Sequence, residues 1–134
     1  MPLIRPSRDE DLAAITAIYA HHVLHGTGSF ETDAPSAADM AARRADVLSK
    51  GLPYLVAEHE GQVAGFAYGN WFKPRPAYRY SVNTGSVGIH QAFGFTQVGI
   101  VESCGWKLGA WRDIVIMQKT LGVGDSQPPH EPAA

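Results

Sequence analysis

The stretch that most constrains this chain is Asn83 to Phe95, NTGSVGIHQAFGF, where a polar entrance opens onto a helical pattern that ends at a glycine. Asn83 or Ser86 can cap the start, since each side-chain oxygen can accept from the first free N–H groups of a helix. Val87, Ile89, Ala92 and Phe93 follow as a loosely spaced apolar stripe expected to pack, and Gly94 stands where a left-handed residue stops a helix. The TQVGIV run after it has the make-up of a strand. A helix start that aims several N–H donors at one spot, beside Asn and Ser, suits an anion or an amide-bearing ligand. His90, one turn on, can give or take a proton near neutral pH. Caps occur on most helices, however, and a helical histidine is more often packed or solvated than catalytic, so spacing alone leaves an ordinary helix as the competing reading.

Upstream, Leu3 to Arg5 is a short strand candidate, and Ser7 with Glu10 forms a capping-box pattern ahead of a helix. Leu12, Ile15, Ile18, Tyr19 and Val23 recur at three- and four-residue steps as one buried stripe, broken by Gly26 and Gly28. His21 and His25 share a helical face next to His22, but no carboxylate or cysteine at a matching spacing completes a metal site, so solvated or packed histidines are expected and no metal. Ser29 to Thr32 lies in a loop, where Phe30 on its own reads as a plug for the core beneath. Pro35 and Ser36 introduce a second helix with Asp39 as box partner and Met40, Val47 and Leu48 as its apolar contacts, ending at Lys50 and Gly51.

The period then changes. Tyr54 to Glu58 and Gln62 to Tyr68, parted by His59, Glu60 and Gly61, carry a hairpin signature, and Gly65 marks a bulge or a close backbone approach. Asn70 to Tyr80 is rich in aromatics and cations, with two prolines that keep it out of a helix. In it, Arg75 suits a bidentate grip on a carboxylate and Tyr78 can add a hydroxyl; a basic loop packed on the sheet is the alternative. Thr96 to Glu102 and Ala110 to Leu121 read as strands flanking a GWKLG connection, the last expected to be covered on both sides. The tail, 122–134, is expected to be disordered and outside the folded domain of 1–121.

At 134 residues the chain has the length of one domain. A formal charge of -2 leaves no broad basic field, which argues against a nucleic-acid partner. No apolar run approaches a membrane span of about 20 residues. The single Cys104 cannot form an internal disulfide and no charged-then-apolar leader opens the sequence, so a cytoplasmic setting is the expectation.

The run Asn83, Ser86, His90, Gly94, Phe95 resembles the last motif of the GCN5-related N-acetyltransferases (GNAT). Around it, GSFET at 28–32, PYLVAE at 53–58, KPRPAYRYSV at 73–82 and GWKLGAWRDIVIMQ at 105–118 are similar to the phosphinothricin and methionine sulfoximine acetyltransferase branch, in that branch's order up to about Leu121. The resemblance implies an α/β fold, a mixed sheet flanked by helices, and acetyl transfer from acetyl-CoA, as co-substrate, to the α-amino group of a small amino-acid-like acceptor. It implies that Phe30, Arg75 and Tyr78 orient the acceptor, that Asn83 and Ser86 hold the pantetheine portion, that His90 is the proton donor, and that the chain forms a homodimer.

The sequence departs from that pattern in one place. Between Val82 and Asn83 the family has a strand, a glycine-rich Q/R-x-x-G-x-G/A loop, a long helix and another strand, on the order of 40 residues. Here the two are adjacent, and the glutamate that follows the SV pair as general base is replaced by Asn83. The expectation is a fold lacking its central strand-helix-strand segment, either in the molecule or in the record of it. A catalytically inactive, internally truncated binding module is then the alternative to an enzyme.

Overall fold

The computed structural model describes residues 2–71, 82–83 and 87–128, with the backbone alone at 82–83 and 87–89. The chain divides into two compact units, Met1–Thr84 and Gly85–Ala134.

In the first unit, β1 (Leu3–Pro6), β2 (Tyr54–His59) and β3 (Gln62–Tyr68) form an antiparallel sheet in that order. Helices α1 (Leu12–His25) and α2 (Ala37–Ser49) supply the rest of the core. The first helix does not begin on the expected Ser7–Glu10 box. A short 3-10 turn, Asp9–Asp11, precedes it, and the Asp11 carboxylate accepts from the Arg8 N–H at 2.7 Å. Ser7 is occupied elsewhere: its Oγ accepts from Arg44 Nε and its carbonyl from another nitrogen of the same guanidinium, both at 2.7 Å. The second helix starts as expected, with the Asp39 N–H donating to Ser36 Oγ and the Ser36 N–H donating to the Asp39 carboxylate. It ends at Gly51, whose φ of +69° an L side chain rarely adopts.

Apolar stripes of both helices meet one face of the sheet. Ile15, Met40, Val47, Tyr54 and Val56 are buried together, with Tyr19, Leu52, Val63, Phe66 and Tyr68 packed around them. Tyr54 stacks on Tyr68 with ring centroids 4.9 Å apart. The β2–β3 hairpin turns through Glu60 and Gly61, both at positive φ, the backbone that a two-residue hairpin turn requires. The register slips where Ala57 faces Gly65 and Glu58 faces Val63, so a bulge sits beside Gly65 as its sequence position implied. A two-stranded pairing of β4 (Asn70–Trp71) with β5 (Val82–Asn83) completes the described elements of this unit.

The second unit holds α3 (Val87–Ala92), β6 (Thr96–Lys107) and β7 (Ala110–Gln118). Gly94 ends α3 with φ +77°. The expected packed stripe is not what its described residues show. Ala92 is exposed, Phe93 is 67% exposed, and His90 is the buried one at 8%. The reason is the reversal at Gly94: the Phe95 N–H donates to the His90 carbonyl, and the Phe95 ring lies edge-on to the imidazole at 4.6 Å.

Strand β6 runs further than its sequence pattern indicated and takes in GWK. It accommodates the extra length with a bulge: Val101 faces Ile114 and Gly105 faces Arg112, while Ser103, at φ 50°, donates its N–H to the Asp113 carboxylate at 2.9 Å. The expectation that β7 is covered on both sides fails, since Trp111, Ile114 and Ile116 are exposed, as are Val98, Ile100, Val101 and Trp106 on β6. Among the described residues β6 and β7 pair only with each other, so the ribbon has no third strand to cover its edges. The tail is not featureless from Gly122: Gly124–Ser126 forms a 3-10 turn, and 129–134 lie outside the described residues.

Candidate functional site

Of the six residues singled out by sequence, three have a described position. Phe30 lies in the stretch between α1 and α2, which carries no helix or strand from Gly26 to Ser36. The residue is 45% exposed, which removes the reading of Phe30 as a core plug. Asn83 is not the cap of α3: its backbone pairs with Asn70 in β5, and α3 begins only at Val87. Ser86, Arg75 and Tyr78 fall outside the described residues. Phe30 and Asn83 belong to the first unit and His90 to the second.

Around Phe30 the structure adds residues that sequence reasoning did not assign. Glu31 is the centre of a tight polar cluster. Its Oε1 accepts from the Tyr19 hydroxyl and from one Arg43 nitrogen, each at 2.8 Å, and its Oε2 accepts from the other terminal Arg43 nitrogen at 3.1 Å. The Glu31 N–H donates to Ser29 Oγ at 3.1 Å. The guanidinium carbon of Arg43 sits 5.7 Å from the centre of the Tyr19 ring, and that ring packs on Phe66. Two-pronged pairing with the Glu31 carboxylate holds the Arg43 guanidinium well above its ordinary range, while burial pushes the Tyr19 hydroxyl up. The GSFET motif pointed at this loop, but the partners are 12 residues away on either side and leave no local signal.

Near β4, Lys50 Nζ bridges the Asp46 carboxylate at 2.6 Å and the Asn70 side-chain oxygen at 3.1 Å, and lies 5.5 Å from the Trp71 ring centre. The start of the Asn70-to-Tyr80 segment is thereby tied to the end of α2. In the second unit, Lys119 donates to the Phe93 carbonyl, fixing the exit of α3 against the strand that follows β6. His90 therefore sits on a short helix anchored at its C-terminal end.

The spacing Q-x-x-G-x-A does occur, at Gln62, Gly65 and Ala67, but those residues form β3, directly after a hairpin turn. They present no helix N-terminus, and backbone amides engaged in a sheet ladder are unsuited to cradling a pyrophosphate.

No family model matches the chain. Individual relatives do. The chain is 40% identical over 169 residues to the phosphinothricin N-acetyltransferase of Alcaligenes faecalis, a match covering 94% of this chain and 86% of that one. The L-methionine sulfoximine/L-methionine sulfone acetyltransferase of Salmonella typhimurium is 36% identical over 90 residues, covering 66% of this chain and 52% of that one. Among solved structures, a GNAT superfamily phosphinothricin acetyltransferase from Sinorhizobium meliloti, in complex with AcCoA, superposes with a TM-score of 0.92 at 30% identity, covering 97% of this chain and 94% of that one. The fold is thus that of the GNAT class, the acyl-CoA-dependent N-acetyltransferases. Identity over nearly its whole length narrows the class: the chain belongs to the phosphinothricin N-acetyltransferase family.

Proposed function

We propose that this protein transfers an acetyl group from acetyl-CoA to the α-amino group of a small amino-acid-like acceptor of the phosphinothricin or methionine sulfoximine kind. The 40% identity to the Alcaligenes enzyme across 94% of the chain carries this reading. In it, Phe30, Arg75 and Tyr78 orient the acceptor, the guanidinium gripping the acceptor carboxylate in a two-pronged manner. Asn83 and Ser86 hold the pantetheine portion of acetyl-CoA. His90 is described as a buried imidazole on a short anchored helix, a group whose chemistry fits proton donation to sulfur.

The acceptor nitrogen, having shed its ammonium proton to solvent, attacks the thioester carbonyl. The C–N bond forms as the nitrogen gives up its second proton to solvent, the C–S bond breaks, and His90 gives its proton to the departing sulfur and takes another from solvent. Asn83 cannot take the ammonium proton as a carboxylate would, so the free-amine fraction of the acceptor limits the rate on the acid side. Holding amine and thioester in line supplies much of the acceleration.

The same reading places a missing segment between Val82 and Asn83. Support comes from the alignment to the Alcaligenes enzyme, which is longer than this chain, and from the exposed apolar faces of β6 and β7. It also makes the protein a cytoplasmic homodimer, with those exposed faces available to a second copy and Cys104 as an exposed thiol suited to a reducing compartment. Among the described residues no helix is long and apolar enough to cross a membrane.

The test is thiol release from acetyl-CoA in the presence of methionine sulfoximine or phosphinothricin. His90→Gln is expected to lower kcat by roughly 100-fold or more with little change in acceptor KM, the range for a general acid. Arg75→Ala is expected to raise acceptor KM sharply. Unchanged kcat in the first variant, or unchanged KM in the second, removes that residue from the site.

A further inference from the structure

A large aromatic residue that stays nearly half exposed, on a stretch without helix or strand, contributes little to stability where it stands. The structure nevertheless devotes a core-rooted polar cluster to the next residue. Tyr19 projects from α1 and Arg43 from α2, and the two converge on the Glu31 carboxylate with three hydrogen bonds of 2.8–3.1 Å. Tyr19 is itself packed on Phe66, at the edge of the core cluster. The Glu31 N–H to Ser29 Oγ bond closes the loop around Phe30 from the other side.

From this arrangement we infer that Glu31, clamped by Tyr19 and Arg43, is a positioning residue that holds the Phe30 ring in place as an apolar wall for the acceptor's side chain. The inference rests on the proposed role of Phe30 in acceptor binding and deepens it. A two-pronged Arg–carboxylate pair fixes direction as well as distance, and a third bond from Tyr19 removes the remaining rotation of the carboxylate. The peptide following Phe30 is then immobilised before any ligand arrives, so the ordering cost is not charged to binding. The face that Phe30 offers is apolar, so the part of the acceptor it meets is the aliphatic stretch between its amino-acid head and its polar terminus. Acceptors lacking that stretch lose the contact.

A simple tether between α1 and α2 would use the same bonds, and the two roles separate in the readout. Arg43→Met removes the fork while keeping an unbranched aliphatic side chain on that face of α2. Kinetics on the full chain are expected to show acceptor KM raised roughly 10-fold in this variant, with acetyl-CoA KM unchanged and only a few degrees lost in Tm. Introduced into Phe30→Ala, the same substitution is expected to add less than about twofold, because residues acting through one another are not additive. Arg43→Lys, which keeps the charge without the fork, recovers part of the effect. In parallel, hydrogen exchange of the 28–32 amides is expected to quicken roughly 10-fold in Arg43→Met, reporting the clamp without reference to activity. Exchange unchanged in Arg43→Met, or a KM effect fully additive with Phe30→Ala, overturns the clamp. A normal acceptor KM in Phe30→Ala alone, with exchange still quickened in Arg43→Met, instead overturns the acceptor-binding role of Phe30 on which the inference rests.

Discussion

Asp11 shows how much a single side chain organises in this fold. Its two oxygens accept from two Arg5 nitrogens at 2.8 Å each, and one of them also accepts from the Arg8 N–H at the start of the first helical turn. The Arg5 hydrogen bonds above all hold its carboxyl down at about 2, below the ordinary range for aspartate. A carboxyl depressed in the folded state binds its proton more readily when unfolded, so its contribution is complete above about pH 4 and disappears as pH falls toward about 2. Urea midpoints measured from pH 5 to 2 should fall across that window, and Asp11→Asn should flatten the part of the fall due to this group; an unaltered profile would show the pair to be inert. Tyr54 makes the opposite point. Its hydroxyl is buried with no hydrogen-bond partner among the described residues, and burial pushes it up to about 12. Removing an unsatisfied buried polar atom is neutral or favourable, so Tyr54→Phe should leave Tm unchanged or raise it, and a drop of several degrees would reveal a partner. Neither residue announced its role in the sequence. Glu10, not Asp11, fitted the expected box spacing, because the rule assumes that the helix begins directly at its cap, and here a 3-10 turn intervenes.

Elements governed by short-range chemistry were the readable ones. Helix α2 begins at Ser36 and stops at Gly51, and the hairpin turns at Glu60 and Gly61, because cap and turn preferences act within four residues. Ser36→Ala should therefore cost about 1 kcal/mol in chemical denaturation, the usual worth of a cap. Met40→Ala should cost about 2–5 kcal/mol, since Met40 is 2% exposed in the middle of the core cluster. A loss near zero for Met40→Ala would mean that α2 does not close the core. Elements set by distant pairing were misjudged. Asn83 looks like a cap, yet its backbone answers to Asn70, thirteen residues earlier. The end of β6 reads as a connection because glycines interrupt it, but the cross-strand pair Trp106 and Trp111, with rings 5.5 Å apart, continues the ribbon to the turn at Leu108 and Gly109. Of the proposed site, the sequence offered only motif positions; Tyr19 and Arg43 left no signal in it, because the side chain that joins them belongs to neither helix.

At the scale of the molecule, core and exposed apolar surface are unevenly divided. The buried apolar cluster lies in the Met1–Thr84 unit, whereas both strands of the Gly85–Ala134 ribbon leave large apolar side chains in contact with water. Such a distribution is what a sheet leaves behind when strands that should cover and pair with it are missing. It agrees with the proposed absence between Val82 and Asn83. Intact-mass measurement addresses it directly: a purified protein of 14.4 kDa has the sequence as written, and a mass several kilodaltons greater means that the segment exists in the molecule. If the nucleotide-holding portion is missing from the molecule, acetyl-CoA should raise Tm only slightly even at millimolar concentration, because protection grows with the ratio of ligand to its Kd. The most direct test of the account remains acetyl transfer itself. Incubated with acetyl-CoA and phosphinothricin, the protein should release CoA thiol in an acceptor-dependent manner and yield the N-acetylated acceptor, with release suppressed in His90→Gln. Thiol release no faster with acceptor and protein than with acetyl-CoA alone would contradict it.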